Sequence, residues 1–129
     1  MEIDMLSVDI DGNDYHVWKS INCINPRVVV AEYNSKFPPP CSYVMEYNEN
    51  HVWDWSDGAG MSLTAATQLG EELGYQLVGT NLSGVNAFFV RKDLVKENMF
   101  PTPATAENLY NPARPLPFFQ SKAAKRFLG

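Results

Sequence analysis

Apolar residues near the start of the chain form a short run that ends in an acidic turn. The run extends from Met5 to Ile10, and the sequence Asp-Gly-Asn-Asp follows it at residues 11–14. Its length and side chains predict a buried β-strand over residues 4–10. Glycine and asparagine are typical of tight turns, and Asn13 or Asp14 is suited to cap a following helix.

An amphipathic pattern follows the turn and leads into a second apolar run. Apolar side chains recur every three residues from Tyr15 to Ile21, which predicts a short helix over residues 14–21. Pro26 ends this pattern, because the residue before a proline disfavours the helical conformation. The continuous apolar run within residues 27–34 is typical of a strand covered on both faces. Strand, helix and strand together predict a βαβ unit with parallel strands.

The middle of the chain predicts one long loop, one helix and one hairpin. Residues 35–61 contain prolines and aromatic residues without a regular period, so we expect a loop there. Ser62 is positioned to cap the next helix, and Gly74 to end it. Two further strands, over residues 75–80 and 85–90, are predicted to form an antiparallel hairpin.

Prolines interrupt the chain after about residue 96, and no strand period survives there. They are Pro101, Pro103, Pro112, Pro115 and Pro117. We therefore predict a domain over residues 1–95 and an extended, proline-rich tail over residues 96–129. The predicted architecture is α/β, in the order β-α-β-loop-α-β-β, with two parallel strands and an antiparallel hairpin.

Length and charge narrow the class of protein. The chain has 129 residues, enough for one domain with a real core, and its net charge of −5 argues against nucleic acid as a partner. No apolar run approaches the roughly 20 residues of a membrane span, and the first residues do not resemble a signal peptide. We therefore expect a soluble, intracellular protein. Cys23 and Cys41 are isolated in sequence, which favours two reduced thiols.

Carboxylates and amides follow both predicted parallel strands where each strand ends. Asp9, Asp11 and Asn13 belong to the end of the first strand, and Glu32 and Asn34 to the end of the second. Parallel strands joined by a helix end on the same side of a sheet, so these side chains should lie at one edge. Ligands bind at that edge in open α/β sheets, and we predict these five residues as a substrate or cofactor site.

This acidic edge has two interpretations. Hard oxygen ligands on neighbouring strand ends suit Mg²⁺ or Ca²⁺, with Asp11, Glu32 and Asn34 as candidate ligands. Alternatively, Asp11 and Asn13 shape the turn, Asp9 caps the helix, and Glu32 meets a basic partner. Because the spacing between strands cannot be derived from sequence, both interpretations stay open.

Histidines and aromatic residues supply further candidates. His16 and His51 are suited to acid–base chemistry, but neither accompanies a nucleophile in a recognisable motif, so surface positions are favoured. A group of aromatic residues is suited either to wall a substrate pocket or to cover a sheet face, and the second is favoured. This group consists of Tyr43, Tyr47, Trp53 and Trp55.

Three separated segments of the chain carry a family resemblance. They are IDMLSVDIDGNDYHVWKSI from Ile3, PRVVVAEYN from Pro26 and SLTAATQLGEELGYQLVGTNLSGVNAFFVRKDL from Ser62. Over about residues 3–94 they resemble the FkbM-type group of class I S-adenosylmethionine-dependent methyltransferases. The resemblance is to the second half of that Rossmann-like domain.

The resemblance also implies that part of the family's domain is missing. Members of that family hold their cofactor with a glycine-rich loop and an acidic residue, both upstream of the matched segments. Only Met1 and Glu2 precede Ile3. We therefore expect that the chain alone binds no S-adenosylmethionine, and that it would do so only if a partner completed the domain. The leading hypothesis is a truncated methyltransferase-like half that is not active alone.

Two other hypotheses stay open. The chain is either an active methyltransferase completed by another chain, or a structural subunit of a larger assembly that uses the tail and a strand edge. In the family, the strand corresponding to residues 5–10 is central, and here one side of it lacks its neighbour. Because an unpaired edge invites pairing, we expect a second copy or a foreign protein chain along the strand from Met5 to Ile10. Both faces of this apolar strand are also expected to be covered.

Overall fold

The fold is an α/β arrangement on one mixed, four-stranded sheet, seen in a computed structural model that describes residues 1–52, 58–100 and 103–114. The strands are β1 (Glu2–Val8), β2 (Asn25–Glu32), β3 (Tyr75–Thr80) and β4 (Asn86–Arg91). The helices are α1 (Asp14–Ser20), α2 (Leu63–Glu72) and α3 (Ala106–Leu109), with a 3-10 turn over Lys92–Leu94. None of these helices is long and apolar enough to cross a membrane. The predicted α/β class is confirmed, whereas Trp53 and Trp55 lie outside the described residues.

The last strand is inserted into the sheet rather than added at its edge. The order is β1-β2-β4-β3, in which β1 is parallel to β2, and β4 is antiparallel to both of its neighbours. The predicted parallel pair and antiparallel hairpin are therefore confirmed. Because Asn86 at the start of β4 pairs with Glu32, the hairpin loop before β4 lies beside the carboxyl end of β2.

β1 is an edge strand, and the expectation that both of its faces are covered is wrong. Val8 is 3% exposed and packs in the core together with Leu6. Met5 is 59% exposed, because neighbouring side chains of a strand point to opposite faces and its face of β1 is open. The strand also ends at Val8, two residues earlier than predicted, and Ile10 is 50% exposed beyond it.

The helices pack on the sheet around one aromatic ring. Phe89 of β4 is fully buried, and its ring centroid lies 5.0 Å from that of Trp18 in α1. Leu69 and Gly70 of α2 are also buried, and a Cβ at Gly70 would lie 3.0 Å from the Phe89 ring. Burial of each large side chain contributes on the order of 1.5–3 kcal/mol. This contact therefore holds α1 and α2 against β4.

The ends of α2 follow the chemistry that the sequence predicts. Ser62 Oγ accepts a hydrogen bond from the backbone N–H of Ala65 at 3.1 Å, and Gly74 adopts a φ of +88° just beyond the helix. Ser62 Oγ also accepts from the backbone N–H of Tyr43 at 2.9 Å. One buried hydroxyl therefore caps α2 and fastens the loop that precedes it.

Part of the predicted tail shares the core of the domain. Ala106 is 5% exposed within that core, and the Thr80 hydroxyl donates to the carbonyl of Leu109. The hydroxyl of Tyr110 donates to the carbonyl of Ser35. We call residues 105–114 the strap. Residues 115–129 of the predicted tail lie outside the described residues.

Among the described strands, only β2 pairs with β1, and we propose that the other edge of β1 pairs with a second copy of the chain or with a foreign chain, because an exposed strand edge promotes such pairing. For self-association, Met5→Lys should weaken the complex by about tenfold or more, since lysine on an edge strand opposes pairing. Sedimentation velocity at several concentrations measures this effect, with Met99→Lys as an exposed control outside β1. A wild-type chain that sediments as a free monomer throughout would contradict self-pairing.

Candidate functional site

Three carboxylates meet at the carboxyl ends of β1 and β2. Asp9, Asp11 and Glu32 each place one ligand oxygen within 4.8 Å of the others. Asp9 and Asp11 are exposed, and Glu32 is half-buried. The parallel register brings these positions together, because Val8 at the end of β1 pairs with Ala31. Of the five predicted residues, the convergence of Asp9, Asp11 and Glu32 is therefore confirmed, and we call these three residues the acidic site.

The turn that carries this site is held by Asp14. Its Oδ1 accepts from the backbone N–H of Gly12 at 2.9 Å, and its Oδ2 from that of Ile10 at 3.1 Å. Asp14 is 2% exposed, so loss of its carboxylate would leave donors without partners at about 1–3 kcal/mol each. Asp11 takes a φ of +56° in this turn, a conformation that aspartate tolerates better than most residues. Asp14, which the sequence suggests only as a helix cap, is the residue that shapes the turn.

The loop between β2 and α2 is fastened to this turn. Asn13 Nδ2 donates to the Asn48 carbonyl at 2.7 Å, and Asn13 Oδ1 accepts from the Asn48 backbone N–H at 3.1 Å. The ring of His51 lies against Gly12, where a Cβ would be 2.2 Å from it. Asn13 occupies the N-cap position of α1 without a capping side-chain hydrogen bond. Its amide therefore positions the loop, a contact that no local sequence signal reveals, because 35 residues separate the partners.

Both histidines hold the same loop. His16 Nε2 lies 2.7 Å from the carbonyl oxygen of Met45, and His51 Nε2 lies 3.0 Å from that of Asp11. A carbonyl only accepts hydrogen bonds, so the ring nitrogen is the donor in each pair. The ring of His16 also contacts that of Tyr47 edge-on, with 5.8 Å between centroids. These contacts give both residues a structural role in the loop.

A cavity of about 460 Å³ opens beside the acidic site. The turn after β1, the end of β2, the hairpin loop and the strap contribute its walls. The lining residues are Asp11, Gly12, Asp14, Glu32, Tyr33, Asn34, Ser35, Lys36, Ala59, Gly60, Gly84, Val85 and Ala113. The volume falls within the range of roughly 300–1,000 Å³ that is typical of small-molecule pockets. Three of the lining residues carry carboxylates, Lys36 carries an ammonium group, and many of the others are small or apolar.

Asn34 lines the cavity, but its side chain belongs to the surrounding loops. Its Nδ2 donates to the Ala59 carbonyl at 2.9 Å, and its Oδ1 accepts from the backbone N–H of Lys36 at 3.0 Å. Of the three candidate metal ligands, Asp11 and Glu32 therefore lie in the carboxylate cluster, where Asp9 joins them. The amide of Asn34 instead shapes the chain beyond β2.

Glu32 is the member of the acidic site with the most perturbed ionisation. Burial raises the pKa of Glu32 to about 8, and the hydrogen bond to Asp9 and the nearby charges of Asp9, Asp14 and Asp11 act in the same direction. Near neutral pH this carboxyl group therefore holds a proton much of the time. A divalent cation among the carboxylates would favour the ionised form and release that proton.

No protein-family model, curated protein or solved structure matches this chain. The family resemblance of residues 3–94 therefore stays a prediction.

The raised pKa of Glu32 predicts how stability changes with pH. Its pKa is about 8 in the folded chain and 4.5 in its unperturbed state, so the folded state binds more protons between these values. Stability should therefore be greatest at the acidic end of this window and should fall as pH rises through 8. Glu32→Gln, which removes the ionisation, should raise Tm by roughly a few degrees at pH 8.5 and change it little at pH 5.

Thermal unfolding in the presence of a chelator measures this difference. Glu97→Gln is the matched control, because Glu97 is exposed and lies outside the cavity lining. Equal Tm changes for Glu32→Gln at both pH values would contradict the prediction.

Proposed function

We propose that this chain is a methyltransferase-related α/β domain whose acidic site binds a divalent cation and presents it to a small polar ligand in the adjoining cavity. The observation that carries the proposal is the convergence of Asp9, Asp11 and Glu32 within 4.8 Å at the carboxyl ends of parallel strands. Carboxylate oxygens are the preferred ligands of Mg²⁺ and Ca²⁺. The cavity of about 460 Å³ has room for a small molecule beside such an ion.

The strand arrangement supports the methyltransferase-related part of the proposal. A parallel pair joined by a helix precedes a hairpin whose second strand is inserted next to β2. The order of elements along the chain, a parallel unit followed by a hairpin, is the one that accompanies the three segments of the resemblance over residues 3–94. The site also lies where open α/β sheets bind ligands, outside the carboxyl ends of parallel strands.

Cation binding to the acidic site should stabilise the fold. With a dissociation constant of about 10⁻⁴–10⁻³ M, about 10 mM Mg²⁺ or Ca²⁺ should add approximately 1.4–2.7 kcal/mol to the free energy of unfolding. Asp11→Asn should abolish the accompanying rise in Tm. Asparagine tolerates the positive φ of residue 11, so this variant removes the charge and preserves the turn.

Thermal unfolding and calorimetry at pH 8 test this prediction, with Glu97→Gln as the control that keeps the full rise. Affinity should also increase between pH 6 and pH 8, because the cation displaces the proton of Glu32. The absence of any rise in the wild type, or an equal rise in Asp11→Asn, would contradict cation binding at the acidic site.

S-adenosylmethionine should not bind the chain alone at micromolar concentration. The described strands β1 and β2 end in acidic segments, and neither leads into the glycine-rich loop that dinucleotide-type cofactor sites use. Calorimetry on the isolated chain tests this expectation, and a micromolar dissociation constant would overturn it. Binding that appears only after a second chain is added would favour the active, completed methyltransferase. Assembly with a second chain without cofactor binding would favour the structural subunit.

A further inference from the structure

The strap holds the chain on both sides of Asn34, just beyond the end of β2. The hydroxyl of Tyr110 donates to the Ser35 carbonyl, and the hydroxyl of Tyr33 donates to the Asn111 carbonyl at 2.6 Å. The paired strand ends at Glu32, so these bonds act on the residues that follow the ladder. They tie a segment distant in sequence to the end of the strand that carries Glu32.

The strap is itself fixed to the hairpin between β3 and β4. Thr80 Oγ1 donates to the Leu109 carbonyl and accepts from Asn111 Nδ2 at 2.8 Å. Arg114 Nη1 donates to the Leu82 carbonyl at 2.8 Å and to Asn111 Oδ1 at 3.0 Å. The strap therefore links two rims of the cavity, the hairpin and the end of β2.

Gly84 permits this close approach. It adopts a φ of +73°, and a Cβ at this position would lie 2.3 Å from the carbonyl oxygen of Pro112. A side chain there would push the strap away from the hairpin. Gly84 and Ala113 both line the cavity, so the strap forms part of its wall.

We infer that Tyr110 and Asn111 are positioning residues for the acidic site. They hold the backbone around Asn34 so that Glu32 stays opposite Asp9 and Asp11. The effect on cation affinity rests on the proposed function, whereas the effect on the end of β2 does not.

Beyond Glu32, where the register of β2 with β4 ends, the backbone bonds to loops rather than to a strand. The Tyr33 N–H donates to the Val85 carbonyl at 2.8 Å, and the Asn34 N–H donates to the Met61 carbonyl at 2.6 Å. Both acceptors lie in loops beside the sheet. When the hydrogen bond from Tyr110 to the Ser35 carbonyl is lost, the hydrogen bonds of these two amides should break more often. The position of Glu32 should then vary more.

The opposite end of the same strand supplies a matched control. Tyr75 donates from its hydroxyl to the Pro26 carbonyl near the start of β2. Tyr110→Phe and Tyr75→Phe therefore each remove one tyrosine hydroxyl that donates to a backbone carbonyl, one at each end of the strand. If Tyr110 only stabilised the fold, the two variants would have the same Mg²⁺ affinity and the same exchange rates at the amides of Tyr33 and Asn34.

The experiment compares both variants in the full chain by thermal unfolding, Mg²⁺ calorimetry at pH 8 and amide hydrogen exchange without cation. Both should lower Tm to a similar extent. Only Tyr110→Phe should weaken Mg²⁺ binding, by roughly tenfold, as is typical when a residue that supports a metal ligand is lost. Only Tyr110→Phe should accelerate exchange at the amides of Tyr33 and Asn34, also by roughly tenfold.

Equal Mg²⁺ affinities or equal exchange rates in the two variants would overturn the inference. If the wild type binds no Mg²⁺, the proposed function fails, and exchange at Tyr33 and Asn34 alone decides whether the strap positions the end of β2. If Tyr110→Phe does not fold, Thr80→Val replaces it, because this change removes the strap's anchor on β3 and should give the same local effect.

Discussion

The buried carboxylate of Asp14 is the interaction on which the site depends. By accepting from the backbone N–H groups of Ile10 and Gly12, it turns the chain within a few residues of the end of β1. The same turn starts α1 and leaves Asp11 directed towards the neighbouring strand end, within reach of Glu32. A buried, hydrogen-bonded carboxylate therefore creates the geometry in which other carboxylates are forced together.

The two ends of the β1–β2 pair carry opposite patterns of charge. At the amino end, Glu2 forms ion pairs with Arg27 at 2.9 Å and Arg91 at 2.8 Å. The side chains of Arg27 and Glu2 are about half exposed, so their pairing contributes little to stability, whereas that of Arg91 is 13% exposed. At the carboxyl end, carboxylates face one another, and the pKa of Glu32 rises to about 8. This arrangement disfavours the ionised form of Glu32. A cation bound among the carboxylates would therefore stabilise that form.

Periodicity was sufficient to predict the parallel unit, the capped helix α2 and the hairpin, because each depends on neighbours in sequence. It failed for the exposure of Met5, since an apolar run does not distinguish a central strand from an edge strand. The convergence of Asp11 and Glu32 followed from the parallel geometry alone. The contact of Asn13 with Asn48 and the docking of the strap had no such signal, because their partners are distant in sequence.

The insertion of β4 between β2 and β3 explains why these distant contacts meet at one place. Because β4 runs antiparallel to β2, its first residue lies opposite Glu32, and the hairpin loop reaches the rim of the cavity. Gly84 in that loop then allows the strap to approach and to reach the residues beyond β2. The Asp14 turn therefore lies behind the end of β1, and the strap contacts the residues that follow β2. The raised pKa of Glu32 and its hydrogen bond to Asp9 lower the repulsion between the carboxylates that this geometry brings together.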